Sequence, residues 1–243
     1  MIKVRSLTEN SEFEEAVALQ KTIWGFEEIE LLPVRLFVVA TKVGGQVFGG
    51  YDDGRMVAFL LAIPGLKPQG QYYLHSHMMG VLSDYRNAGI GRMLKLKQRE
   101  DALSRGIGLV EWTFDPLELK NAYFNIERLG AVVRRYVLNQ YGTTTSALHG
   151  GLPTDRCVAE WYLDDAKVTG LLDSGKLERL PEAARIEVPV AIQDWKLSDP
   201  ARARETQAAI SEQFQEHFRA GLAVLGFERS EDKGTYILGK WHS

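Results

Sequence analysis

The segment Val81-Leu82-Ser83-Asp84-Tyr85-Arg86-Asn87-Ala88-Gly89-Ile90-Gly91-Arg92 places Arg86-x-x-Gly89-x-Gly91 where a long strand pattern hands over to a helical one. That arrangement suits a pyrophosphate. The first N–H groups of a helix lack internal partners and sit at the positive end of its dipole, so an anion there gains hydrogen bonds and field together. Gly89 and Gly91 offer no side chain to block the approach, and Asn87, Ala88 and Ile90 fill out the turn. Arg86 and Arg92 can add charge-assisted bonds, with Lys95 or Arg99 within reach of a further phosphate. Other phosphate fingerprints fail: no Gly-x-x-x-x-Gly-Lys-Ser/Thr occurs, and the glycines at 44, 45, 49 and 50 precede or lie within a hairpin pattern.

Just upstream, His75 and His77 stand two apart on the same strand pattern and so share a face, where either can take a proton directly or through water. Glu111, on the next strand pattern, is a third proton acceptor. The plain alternatives are a pair of hydrogen-bonded core histidines and a paired or solvated glutamate. Cys157 is the sole cysteine, with no histidine near it in sequence, and reads as a small buried hydrophobe. With one thiol, no intrachain disulfide and no multi-cysteine metal site can form, and no metal is expected.

These residues need a scaffold. The alternating Met1–Leu7 predicts a strand, Ser11 to Glu14 a capping box opening a helix that stops at Gly25, and Pro33 to Gly44 a second helix. Strands follow at 46–51 and 56–63, turned at Asp53-Gly54, with Pro64-Gly65 breaking the second. The strand over 71–82 leads into the glycine turn and a helix from about Gly89 to Arg105, its Ile90, Met93 and Leu94 facing inward and Arg92, Lys95, Lys97 and Arg99 outward. A strand at 109–114, a helix at 117–129 stopped by Gly130, and strands at 131–141 and 156–163 complete a unit spanning 1–165. A polar connector, 166–185, precedes a smaller unit at 186–243 with strand 186–192, a helix capped at Ser198-Asp199-Pro200, and a hairpin. Its strand, helix, strand, strand order repeats that of 109–163, as a degenerate copy would.

The turn with its preceding strand resembles motif A of the GNAT acetyltransferases, and the element order over residues 1–163 is similar to their whole domain. The resemblance implies an α/β fold, a mostly antiparallel central sheet flanked by helices, followed here by the smaller α/β unit. It implies acetyl-CoA as cosubstrate, its pyrophosphate on Arg86–Arg92 and its pantetheine arm paired with backbone groups of Met79, Gly80 and Val81. Asn121 would face that arm from the later helix. The activity implied is transfer of an acetyl or other short acyl group to an amine.

Such transfer needs a neutral amine, a stabilised oxyanion and a protonated leaving thiolate. An alkyl amine is only about 0.04% neutral at pH 7, so a base from among His77, His75 and Glu111 has work to do. The family's acid is a tyrosine four residues before the glycine ending the later helix; here that position is Ile126. Tyr123, one turn earlier, is the available substitute, with water as the other proton source. The departure keeps open a second reading, an acyl-CoA-binding or sensing module with little turnover.

Composition bounds the partners. A formal charge of -3 over 243 residues gives no basic field for nucleic acid, and no run approaches the length of a membrane span. A cytoplasmic location is expected. The acceptor is an amine on a small molecule or peptide, selected by residues 24–36 and the loop 143–155, while the C-terminal unit is free to complete a homodimer or a pseudo-tandem sheet. Glu27, Glu28 and Glu30 could draw in a cation, or simply form a solvated face.

Overall fold

A computed structural model describes residues 1–142 and 151–241. The chain forms two compact units, Met1–Glu111 and Trp112–Ser243, meeting in sequence within one strand. The segment read as a connector, 166–185, lies inside the second of these.

In the first unit, β1 (Lys3–Ser6), β2 (Gln46–Asp52), β3 (Arg55–Leu66) and β4 (Tyr72–Val81) pair antiparallel in that order. The start of β5 (Leu109–Phe114) then runs parallel to β4, with Leu74 opposite Val110 and His75 opposite Glu111. Helices α1 (Asn10–Trp24) and α2 (Val34–Lys42) cover one face, where Trp24 and Phe37 meet Phe59 at 6.0 and 6.1 Å between ring centres. Helix α3 (Ile90–Ser104) covers the other, burying Ile90, Leu94, Gln98 and Ala102 at helical spacing.

Four details depart from the sequence pattern, each for a local reason. The cap of α1 is Glu9, whose N–H bonds the Glu12 carboxylate at 3.0 Å, so the box sits two residues before the one expected at Ser11. Strand β3 continues through Pro64-Gly65, because β2 reaches only to Ala62; beyond it β3 has β4 alone as neighbour, and a missing proline N–H is tolerated. The expected inward Met93 is 38% exposed, whereas the expected outward Lys95 is only 2% exposed. Strand β8 stops at Pro189, and Ile192–Ser198 is a separate short helix.

The second unit takes in the end of β5, then α4 (Leu119–Tyr123) running into a π-turn (Phe124–Arg128), β6 (Val132–Val137), β7 (Arg156–Tyr162) and α5 (Ala166–Ser174). It closes with β8 (Ala184–Pro189), α6 (Ile192–Ser198), α7 (Pro200–Arg219), β9 (Leu222–Arg229) and β10 (Lys233–Lys240). Its strands lie in the order β5, β7, β6, β9, β10, β8. Trp161, Tyr236, Phe214 and Phe227 are fully buried there. Cys157 is buried too, and burial pushes its thiol well above the usual pKa, in keeping with a packing role. No helix among the described residues is long and apolar enough to cross a membrane.

Candidate active site

The glycine turn is built from two left-handed residues. Between β4 and α3 the chain passes Ser83–Tyr85 in one tight turn, then takes positive φ at Asn87 (65°) and at Gly89 (79°). Gly89 is the N-cap of α3, and no side chain caps that helix. A Cβ placed on Gly89 would meet nothing within 4 Å, so the space before the helix is open. The first ladder bond, from the Met93 N–H to the Gly89 carbonyl at 3.0 Å, leaves the N–H groups of Ile90, Gly91 and Arg92 without an intrahelical acceptor.

The arginines divide their tasks. Arg86 Nε donates to the Val81 carbonyl at 3.3 Å, folding the side chain back over the end of β4. Arg92 Nε is buried and has no hydrogen-bond partner in the protein. Buried donors are nearly always satisfied, so this N–H, on a residue of α3's first turn, is short of an acceptor. Lys95 does not share that task. Its Nζ points through the interior to Ser76 Oγ (2.8 Å) and Gln98 Oε1 (3.0 Å), and burial pushes its pKa well below the ordinary value.

Beneath the turn, β4 carries a bulge. Ser76 pairs with Ala62 and Met78 with Leu61, so His77 has no partner on β3. Ser76 faces α3, where Lys95 holds it. Gly80 faces α1; a Cβ there would lie 2.7 Å from both Ile23 Cδ1 and Trp24 Cη2, so glycine permits the close packing of α1 on the strand. Within this unit Ser76 and Met78–Val81 pair with β3 on one edge, which leaves the main-chain groups of Met79 and Val81 on the other edge for an extended ligand.

His75 and His77 come together, with ring centres 5.9 Å apart. Burial holds both below the usual imidazole pKa. For His75 the neighbouring His77 and Lys95 push the same way, while Glu111 opposes them. Both are therefore neutral at pH 7 and able to accept a proton. Glu111, opposite His75 in register and only 4% exposed, is ion-paired with Lys67 at 2.5 Å. Lys67 drew no attention in the sequence because it lies in the β3–β4 hairpin turn, 44 positions from its partner.

Of the residues expected on the later helix, Asn121 and Tyr123 lie on α4 with exposed side chains. Ile126 is fully buried in the core of the second unit and presents no proton donor. Residues 143–150 of the expected acceptor loop lie outside the described residues. Among the described residues no group of three or more His, Cys, Asp or Glu side chains is placed to hold a metal ion.

Residues 12–130 match the family profile described as the acetyltransferase (GNAT) family. No curated protein matches the sequence. Among solved structures, the ribosomal-protein-S18-alanine N-acetyltransferase of Escherichia coli is similar at 18% identity and a TM-score of 0.52, covering 68% of this chain and 96% of its own. Arabidopsis thaliana Naa50, in complex with the bisubstrate analogue CoA-Ac-MVNAL, is 14% identical with a TM-score of 0.53, over 65% of this chain and 97% of its own. The Salmonella typhimurium protein yncA, with its cofactor acetyl-CoA, is 12% identical with a TM-score of 0.55, over 76% and 99%. At these identities the likeness is one of fold.

Proposed function

Because residues 12–130 belong to the GNAT acetyltransferase family, we propose that this chain moves an acetyl, or another short acyl, group from coenzyme A to an amine on a small molecule or peptide. The observation that carries the reading is the open, left-handed turn at Asn87–Gly89, followed by a helix whose first turn bears Arg92 with its Nε unpartnered. Bound acetyl-CoA supplies an activated thioester. The chain's part is to hold and orient it, to take a proton from the amine, and to return one to the leaving thiolate.

In this account the N–H groups of α3's first turn, with Arg86, Asn87, Ala88 and Arg92, hold the pyrophosphate, while Met79, Gly80 and Val81 align the pantetheine arm along β4. Neutral His77 and His75 are the proton acceptors, and Glu111, fixed by Lys67, steadies the imidazole beside it. Asn121 and Tyr123 are assigned to the arm and the thiol. The smaller C-terminal part of the chain, 186–243, is assigned no chemistry.

Burial of Ile126 at the family's tyrosine position favours the second reading, a coenzyme-binding module with slow turnover. Thiol release from acetyl-CoA, followed with a chromogenic disulfide over a panel of alkyl, aryl and peptide amines, separates the two. Amine-dependent release that Gly89→Glu abolishes supports transfer. Coenzyme binding with no release over the whole panel supports the module.

A further inference from the structure

We infer that residues 184–240 are a divergent internal copy of residues 109–162, docked on the first copy about a pseudo-two-fold axis, so that the chain supplies to its own β6 edge the neighbour that a second molecule would otherwise provide. Apart from the first three residues of β5, the inference concerns the second unit, and it stands whether or not the domain acylates anything.

Three independent features carry it. The first is strand order. Reading outward from the β6–β9 pair, one side runs β6, β7, β5 and the other β9, β10, β8. Each side is second strand, third strand, first strand of a strand-helix-strand-strand unit, so the sheet is a palindrome. The antiparallel β6–β9 pairing is what a two-fold axis normal to the sheet requires.

The second feature is register. The helical segment before β6 ends at Gly130 (φ 77°) and α7 ends near Gly221 (φ 78°), both left-handed. The residues that pair across the axis are Val133 and Val224. Counting from each glycine, 133 − 130 and 224 − 221 both give three, so the same position of each copy faces itself. Self-pairing of equivalent positions is the mark of an isologous contact.

The third feature is reciprocal packing. Helix α7 of the second copy packs on β6 of the first, with Phe214 and Tyr136 stacked at 5.3 Å between ring centres. Helix α4 and its π-turn pack on β9 of the second copy, where the Phe227 N–H donates to Glu127 Oε1 at 2.6 Å. The second copy also grips the segment leading into α4. Tyr236 OH donates to the Pro116 carbonyl (2.6 Å), Gln193 Nε2 donates to the Leu117 carbonyl (2.8 Å), and Lys196 Nζ lies 3.2 Å from Glu118 Oε1. The copy is thus a fixed support for the segment bearing Asn121 and Tyr123.

The full chain carrying Val133→Cys and Val224→Cys tests this. Residues directly opposite in an antiparallel pair have Cα atoms about 4.5–5.5 Å apart, within disulfide range, and the buried Cys157 stays out of exchange. After mild oxidation the expected product is an intrachain disulfide in a species that denaturing, non-reducing analysis places at the single-chain mass of 27.3 kDa. A covalent dimer would overturn the inference, since β6 would then be paired with another molecule. Should the cysteine variant fold poorly, wild-type chains with and without nitrogen-15 are mixed, refolded and coupled with a carbodiimide at Glu118–Lys196. Linked peptides carrying like labels are expected, and mixed labels would overturn it.

Discussion

Replacing Gly89 by glutamate and, separately, by alanine isolates the electrostatics of the coenzyme turn from its backbone strain. Gly89 has φ 79°, which costs a residue with a Cβ roughly 1–2 kcal/mol. The Cβ itself meets nothing within 4 Å, so strain is the whole steric cost, shared by both variants. For a chain of this size that lowers the melting temperature by about 2–8 °C in each. Only glutamate adds a charge at the mouth of α3. Opposite two phosphate charges about 6 Å away, at an effective dielectric constant of about 40, the repulsion is ~3 kcal/mol. Acetyl-CoA should therefore bind Gly89→Glu roughly 100-fold more weakly than Gly89→Ala, by calorimetry at low ionic strength. Half-molar salt should narrow the gap, because an exposed charge is screened. Equal affinity of the two variants would refute a pyrophosphate at this turn.

Three further outcomes follow from the same geometry. Because burial lowers the pKa of His75 and His77, the acid limb of the kcat/KM profile should fall below pH 6.5; glutamine at the proton-accepting position flattens it, and a limb unchanged in both single variants removes the histidines from the mechanism. Lys95 has a folded-state pKa well below 10.5, so the unfolded chain binds more protons between the two values and stability rises as pH climbs through that window; urea melts of Lys95→Met should lack this rise, and parallel profiles would contradict it. Tyr236→Phe leaves the Pro116 carbonyl unpaired in a buried site, costing about 1–2 kcal/mol in urea melts and speeding amide exchange over residues 115–118; unchanged exchange would deny the copy its supporting role.

What sequence patterns conveyed was mostly local. Gly89 and Gly91 after an apolar strand mark a helix start with no blocking side chain, and the structure has that turn, with Asn87 as a second left-handed residue. The His75/His77 pair was legible from period-two alternation. The bulge at His77 was not, because it depends on the register of β3 against β4. Lys95 misled for a related reason: helical periodicity assigns a charged residue to solvent, but the Ser76 hydroxyl and the Gln98 amide give its ammonium group partners inside. Lys67 and Glu111 are likewise joined only by the β3–β4–β5 pairing. The short helix Ile192–Ser198 was hidden because its apolar start continues the pattern of β8.

The most direct test of the coenzyme site is a thermal melt of the wild-type chain with and without acetyl-CoA. Ligand at about 100 times its dissociation constant adds roughly 2.7 kcal/mol to the folded state, an upward shift of about 5–11 °C for a chain of this size. That shift is the predicted result, and no shift at millimolar acetyl-CoA would contradict the account.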